Sequence, residues 1–159
     1  MAIRNIVKEG DSVLTKKCHS VTKFDQRLAT LIDDMKETLA LANGIGLAGP
    51  QVGVLRRVVV INIPDEDVEL ELINPEIIEQ SGLQEEVEGC LSCPHQWGIV
   101  QRPMSVTVKA LDRSGNEFTV KGEGLLARCL CHELDHLDGI LFNTKTIQTI
   151  PASEIENNE

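Results

Sequence analysis

Leu125-Leu-Ala-Arg-Cys-Leu-Cys-His132-Glu133-Leu-Asp-His136-Leu-Asp-Gly139 is the stretch that decides how this sequence folds. Leu126, Leu130, Leu134 and Leu137 recur at helical intervals and draw an apolar stripe, Gly122 and Gly124 loosen the chain ahead of it, and Gly139 is placed to stop it. The stretch therefore reads as a helix. His132 and His136 then stand one turn apart on one face, where both imidazoles can reach a shared metal, and Glu133 can reach a water on that metal without being a ligand. The spacing predicts a half-buried helix with a metal at its inner edge. A core helix carrying two incidental histidines is the competing reading, and it leaves unexplained a Glu directly after the first His.

Composition bounds what surrounds that helix. A chain of 159 residues fits one domain, and at that size roughly 70% of the unfolded surface can be buried, enough for a core without disulfides. The 25 acidic residues exceed the 15 basic ones, and the net charge of −10 argues against nucleic acid or an anionic membrane as a direct partner. The N-terminus lacks an apolar run long enough for a secretory signal, and the longest apolar stretch, near Val58 to Ile63, is too short to span a bilayer. A cytoplasmic protein is expected. Its five cysteines, at positions 18, 90, 93, 129 and 131, are an odd number in a reducing compartment, so free thiols and a metal thiolate are expected rather than a disulfide framework.

Residues 1 to 24 read as an extended arm with a short helical turn near Ser12 to Leu14. From Asp25, an N-cap, the positions Leu28, Leu31, Ile32, Met35, Leu39 and Ala42 follow helical spacing until Asn43-Gly44 supplies a stop. Gly44-Ile-Gly-Leu-Ala-Gly-Pro-Gln51-Val-Gly53 is too rich in glycine for a regular element and lets backbone approach a ligand closely. It lacks the strand before it and the Lys-Ser/Thr pair after it that a nucleotide loop needs. Val58 to Ile63 reads as a buried strand, Pro64 to Glu69 as a turn, and Leu70 to Glu79 as a strand made irregular by Pro75. Met104 to Leu111 and Glu117 to Lys121 form a hairpin around Asp112 to Asn116. Strands in runs, with two helices elsewhere, predict an α+β fold of mainly antiparallel sheets packed around the central metal-binding helix. Residues 1–147 form the expected domain, and residues 148–159 a short acidic C-terminal tail.

Catalytic sites of this kind use three protein ligands and leave a position for water, so the two histidines need a partner. A third His six residues on would fall at Phe142, and the downstream Glu154 and Glu156 lie in the unpatterned tail. Upstream, Glu88-Gly-Cys90-Leu-Ser-Cys93-Pro offers thiols in a tight turn, with His95 nearby. Cys90 is modestly favoured over Cys93. Both together would instead make a closed structural site with no water position and no use for Glu133.

Three separated motifs, Gly44-Ile-Gly-Leu-Ala-Gly-Pro-Gln51, Glu88-Gly-Cys-Leu-Ser92 and His132-Glu-Leu-Asp-His136-Leu-Asp-Gly139, resemble the three signature motifs of the peptide deformylases, in the right order. The similarity runs from the N-terminal arm to about Phe142. It implies that Cys90, His132 and His136 bind one divalent metal, usually Fe²⁺ with Zn²⁺, Ni²⁺ or Co²⁺ able to replace it. It further implies that Glu133 is the general acid/base and that Gln51 and the backbone N–H of Leu91 stabilise the oxyanion. The substrate implied is the N-formyl-methionyl end of a nascent polypeptide, with formate as product. Gly44, Ile45, Gly46, Leu47, Leu125 and Cys129 match substrate-binding positions, and Arg102 resembles an arginine often found after the second motif, read here as structural. A monomer working in the cytoplasm is implied, with the ribosome as the further partner.

Departures from the pattern are specific. Gly49 stands where Ala is usual, Cys131 precedes His132 where Gln is commoner, and Glu86 and Arg128 occupy positions near the side-chain pocket that are apolar in many relatives. Bacterial members often carry a longer basic C-terminal helix used on the ribosome, whereas this tail is short and acidic. Two rival functions compete with deformylation: a metallo-amidase acting on another acyl group, and a non-catalytic relative that binds N-terminal peptides.

Overall fold

The computed structural model describes residues 2–156. Its first long element is helix α1 (Gln26–Ala42), opened by the Asp25 side chain accepting from the Leu28 N–H and closed by Asn43 in the left-handed conformation. Strands β1 (Gly46–Ala48), β2 (Val58–Ile63) and β3 (Val68–Ser81) follow, then β4 (Gln84–Cys90), β5 (Cys93–Arg102), β6 (Ser105–Leu111) and β7 (Glu117–Glu123). Helix α2 (Leu125–Leu137), strand β8 (Thr146–Ile150) and the short helix α3 (Ala152–Glu156) complete the described chain. Two antiparallel sheets result, one ordered β1-β2-β3-β6-β7 and the other β4-β5-β8.

The larger sheet is buried on both faces, which is why Val58-Val-Val-Ile-Asn-Ile63 is apolar almost throughout rather than alternating. Val59 and Ile61 pack with Leu126, Ala127, Leu130 and Leu137 of α2. Val58 and Val60 pack with Leu28, Leu31, Ile32, Met35 and Leu39 of α1. The smaller sheet is tied down by a third cluster in which Val100 and Cys93 of β5 meet Leu14, Leu141 and Phe142. Helix α2 is thus enclosed, with all its residues buried except Leu125 and Asp135, and the half-buried helix read from the sequence is corrected accordingly. Its polar side is covered by protein.

Three further expectations change. The glycine-dense stretch is a three-residue strand, β1, paired to β2, and a 3₁₀ turn over Gly49–Val52. The regular element survives there because β2 supplies backbone partners and Gly46 needs no room for a side chain. The tight turn read at Glu88 to Pro94 lies within a hairpin, β4–β5, whose two strands were not expected. Strand β8 pairs with β5, and residues 157–159 of the expected acidic tail lie outside the described residues. The irregularity expected at Pro75 appears as a register shift between Ile73 and Glu76. Among the described residues no helix is long and apolar enough to cross a membrane.

Candidate metal centre

Helix α2 presents His132 and His136 one turn apart, and the β4–β5 turn brings Cys90 to them. The Cys90 Sγ lies 3.3 Å from His136 Nε2, and one potential ligand atom from each of Cys90, His132 and His136 lies within 4.8 Å of the others. Cys93, the register partner of Cys90 across the turn, and His95, exposed on β5, stand outside that group. The donor set fits a divalent cation: one thiolate-forming sulfur and two imidazoles suit several first-row ions.

Glu88 orients the first imidazole. Its Oε1 is 2.9 Å from His132 Nδ1, which leaves Nε2 as the nitrogen available to a metal. The same carboxylate accepts from Arg102 Nε and Nη2, both at 2.9 Å, and is paired with Arg128 Nη1. Arg102 also reaches Asp135 at 2.7 Å, and Lys145 pairs with that aspartate at 3.0 Å. Burial by itself would raise the Glu88 carboxyl, but hydrogen bonds from Arg102 and His132 outweigh it and hold the group down at about 2. Glu88 is therefore an anion at neutral pH.

Glu133 differs. It is buried, its Oε1 has no hydrogen-bond partner among the described residues, and burial pushes its carboxyl up to about 7 against the pull of His132. Such a group can take or give a proton at neutral pH. Burial also drives the His136 imidazole down to about 3, so this nitrogen donor stays neutral.

Gln51 faces the same centre from the 3₁₀ turn. Its Oε1 accepts from the Ala48 N–H at 3.0 Å, which fixes the amide, while Nε2 donates to Ser92 Oγ at 3.1 Å and lies 3.6 Å from Cys90 Sγ. Gly46 passes so close that a Cβ there would lie 2.5 Å from Glu133 Oε2 and 2.9 Å from Cys129 Sγ. Only glycine allows β1 to run beside the carboxylate.

A cavity of about 510 Å³ opens beside these groups. Gly44, Ile45, Gly46, Gln51, Cys90, Leu91, Leu125, Cys129, His132 and Glu133 line it, so most of the residues singled out in the sequence come together. Ile45, Val87 and Leu125 give it an exposed apolar rim. Leu47 does not join them. It is fully buried among the α1-facing residues because alternation along β1 turns it to the opposite face from Gly46. Glu86, also flagged, is exposed on β4 and does not line the cavity, whereas Arg128 does. Cys131 is buried in the main core, away from the ligand group. The sequence reading gave Glu88 no role of its own; an acid two residues before a candidate ligand Cys was the available signal, and Glu85 and Glu86 beside it diluted that signal. Trp97, on the cavity wall, carried no such signal.

Comparison with known proteins gives a consistent picture. A family model described as polypeptide deformylase matches residues 3–150. A peptide deformylase of Caldicellulosiruptor bescii is 58% identical over 156 residues, covering 98% of this chain and 93% of that protein. Peptide deformylase 1 of Clostridium acetobutylicum is 53% identical over 149 residues, covering 94% and 98% respectively. Among solved structures, a peptide deformylase from Legionella pneumophila superimposes with a TM-score of 0.88 at 48% identity, covering 91% of this chain and 86% of that one. One from Ehrlichia chaffeensis, in complex with actinonin, gives 0.89 at 40% identity, covering 91% and 89%.

Proposed function

The chain belongs to the peptide deformylase family, a metal-dependent family of enzymes acting on formylated nascent peptides, and from that premise we propose how its own residues divide the work. Cys90, His132 and His136 hold one divalent ion, Fe²⁺ in the cell, with Zn²⁺, Ni²⁺ or Co²⁺ able to substitute. The observation that carries this reading is the meeting of their ligand atoms within 4.8 Å beside a buried carboxylate with one unpartnered oxygen. When bound, such an ion lowers the pKa of an attached water to roughly 7 and polarises the amide to be cleaved.

Glu133 takes a proton from the attacking water and returns it to the departing amine, so that the N–C bond to the formyl group breaks and formate and a free α-amine leave. Its carboxyl, near 7, is matched to that exchange at neutral pH. Gln51 Nε2 and the Leu91 backbone N–H donate to the formyl oxygen as negative charge grows on it. A donor in that role is typically worth about 100-fold to 1,000-fold in rate. Glu88 holds His132 in one orientation and takes no part in proton transfer. The methionine side chain enters the cavity between Ile45, Leu125 and Cys129, and the backbone of Gly44 to Gly46 pairs with the extended substrate as an added strand would.

The setting we propose is a monomer in the cytoplasm that meets nascent chains at the ribosome. Residues 1–147 make up the catalytic unit. The test is formate release after anaerobic loading with Fe²⁺ or Ni²⁺, comparing formyl-Met peptides with acetyl-Met controls. Formate from the former and no cleavage of the latter is expected; equal cleavage of both would favour a broader amidase.

A further inference from the structure

We propose that Cys90 and Cys93 form a modification site, a dithiol that a peroxide converts to a disulfide, and that this change reversibly withdraws a ligand from the metal centre. The effect on the metal rests on the reading above that Cys90 binds the ion; the dithiol chemistry does not. Cys90 ends β4 and Cys93 begins β5, the two-residue turn Leu91-Ser92 joins them, and they face each other in the strand register. Directly opposed residues of an antiparallel pair carry their side chains on one face with Cα atoms about 4.5–5.5 Å apart, inside the range of about 4.4–6.8 Å that a disulfide spans. A side-chain hydrogen bond already links the two thiols, and both are free. The sulfurs therefore start within reach of one another.

Access separates the two thiols. Both border the cavity, but Cys90 is half-buried whereas Cys93 is 1% exposed and packs with Leu14, Val100 and Phe142. A small peroxide entering the cavity meets Cys90 first. The Cys90 sulfur attacks the hydrogen-bearing peroxide oxygen, the O–O bond breaks, and the other oxygen leaves with the thiol proton as an alcohol or water, so that Cys90 becomes a sulfenic acid. The Cys93 sulfur then displaces the hydroxyl: an S–S bond forms, the S–O bond breaks, and the Cys93 proton leaves with that oxygen as water. Two thiols are oxidised and one peroxide is reduced. Cys18 and Cys131 lie in the main core and the Cys129 thiol donates to the Ile45 carbonyl at 3.8 Å, so none of these stands opposite Cys90 in a strand pair. In the disulfide the Cys90 sulfur has no thiolate to offer an ion, and it is held back from the irreversible sulfinic and sulfonic acids.

The experiment treats the metal-free wild type with hydrogen peroxide, blocks the remaining thiols by alkylation and maps the peptides by mass spectrometry. A Cys90–Cys93 linkage, lighter by two hydrogens and opened by a dithiol reductant, is expected. Elemental analysis after exposure to Ni²⁺ should find most of the bound ion missing from the oxidised protein and restored by reduction. In Cys93→Ser, with Cys93→Ala as a second variant suited to the apolar cluster, the same treatment should carry Cys90 on to the sulfinic or sulfonic acid, and the loss of Ni²⁺ should survive the reductant. A wild type whose Cys90 gains oxygen while Cys93 stays a free thiol, or whose Cys90 links to another cysteine, overturns the proposal. A reducible Cys90–Cys93 linkage in protein that binds Ni²⁺ equally well before and after reduction would uphold the dithiol and overturn its effect on the metal, together with the ligand role of Cys90.

Discussion

Two buried glutamates flank the His132 side chain, and their environments differ in almost everything except burial. Glu88, on the β4 side, is 6% exposed and is met by Arg102, Arg128 and His132; Glu133, on the β1 side, is 4% exposed and keeps an oxygen with no partner. Desolvation opposes ionisation at both. Donors decide the outcome, holding one carboxyl at about 2 and leaving the other at about 7. Burial alone therefore does not make a buried acid catalytic; burial without compensating donors makes it a proton carrier, and burial with them makes it a fixed strut.

The largest effect that can break this comparison is on folding. Glu88→Ala would leave Arg102 with Asp135 alone and Arg128 with the Val100 carbonyl alone in the interior, and removing one partner of a buried pair typically costs about 3–5 kcal/mol. Glu133→Ala strands nothing and should unfold at the same denaturant concentration as wild type or higher, so equal losses in the two variants would erase the distinction. A smaller effect concerns pH in the metal-free protein. Glu88 is displaced downward from its ordinary 4.5 to about 2, so its contribution is fully present above 4.5 and is lost as pH falls toward 2. Glu133 is displaced upward to about 7, so its contribution is present below 4.5 and is lost as pH rises through 7. Denaturation midpoints across this range should show Glu88→Gln flattening the acid limb and Glu133→Gln gaining on wild type as pH rises from 4.5 to 7. Slopes changing in the same direction would contradict the assignment. The smallest effect sharpens the picture by a null: Cys93→Ser should leave bound metal unchanged, as counted by elemental analysis, while Cys90→Ala removes most of it. The reverse pattern would favour a closed structural site.

Much of the larger sheet was legible because its chemistry is simple. The apolar run of β2, the alternation of β6 and β7 and the caps of α1 each follow one physical rule, and the folded chain agrees with them. The smaller sheet was hidden because β4 reverses the usual pattern. Its buried positions are Gln84 and Glu88, satisfied by Pro103 and Gly124 carbonyls and by arginines, while Val87 is exposed at the cavity rim. A polar side chain with interior partners reads, from sequence, like one facing water. The same ambiguity made α2 look half exposed, since Arg128, His132, Glu133 and His136 form a polar face that other polar groups and the cavity enclose. Leu47 was misplaced for a different reason: without knowing that Gly44 to Ala48 contains a strand, its alternation could not be applied.

The most direct test of the split between the two acids is turnover per bound ion in Glu133→Gln. Protein loaded anaerobically with Ni²⁺ would be assayed for metal content and for formate from a formyl-Met peptide on the same sample. One ion per chain with formate release lowered by about 100-fold to 10,000-fold is the predicted result. Wild-type turnover per ion would contradict the account, because it would mean that the proton moves without the carboxyl assigned to carry it.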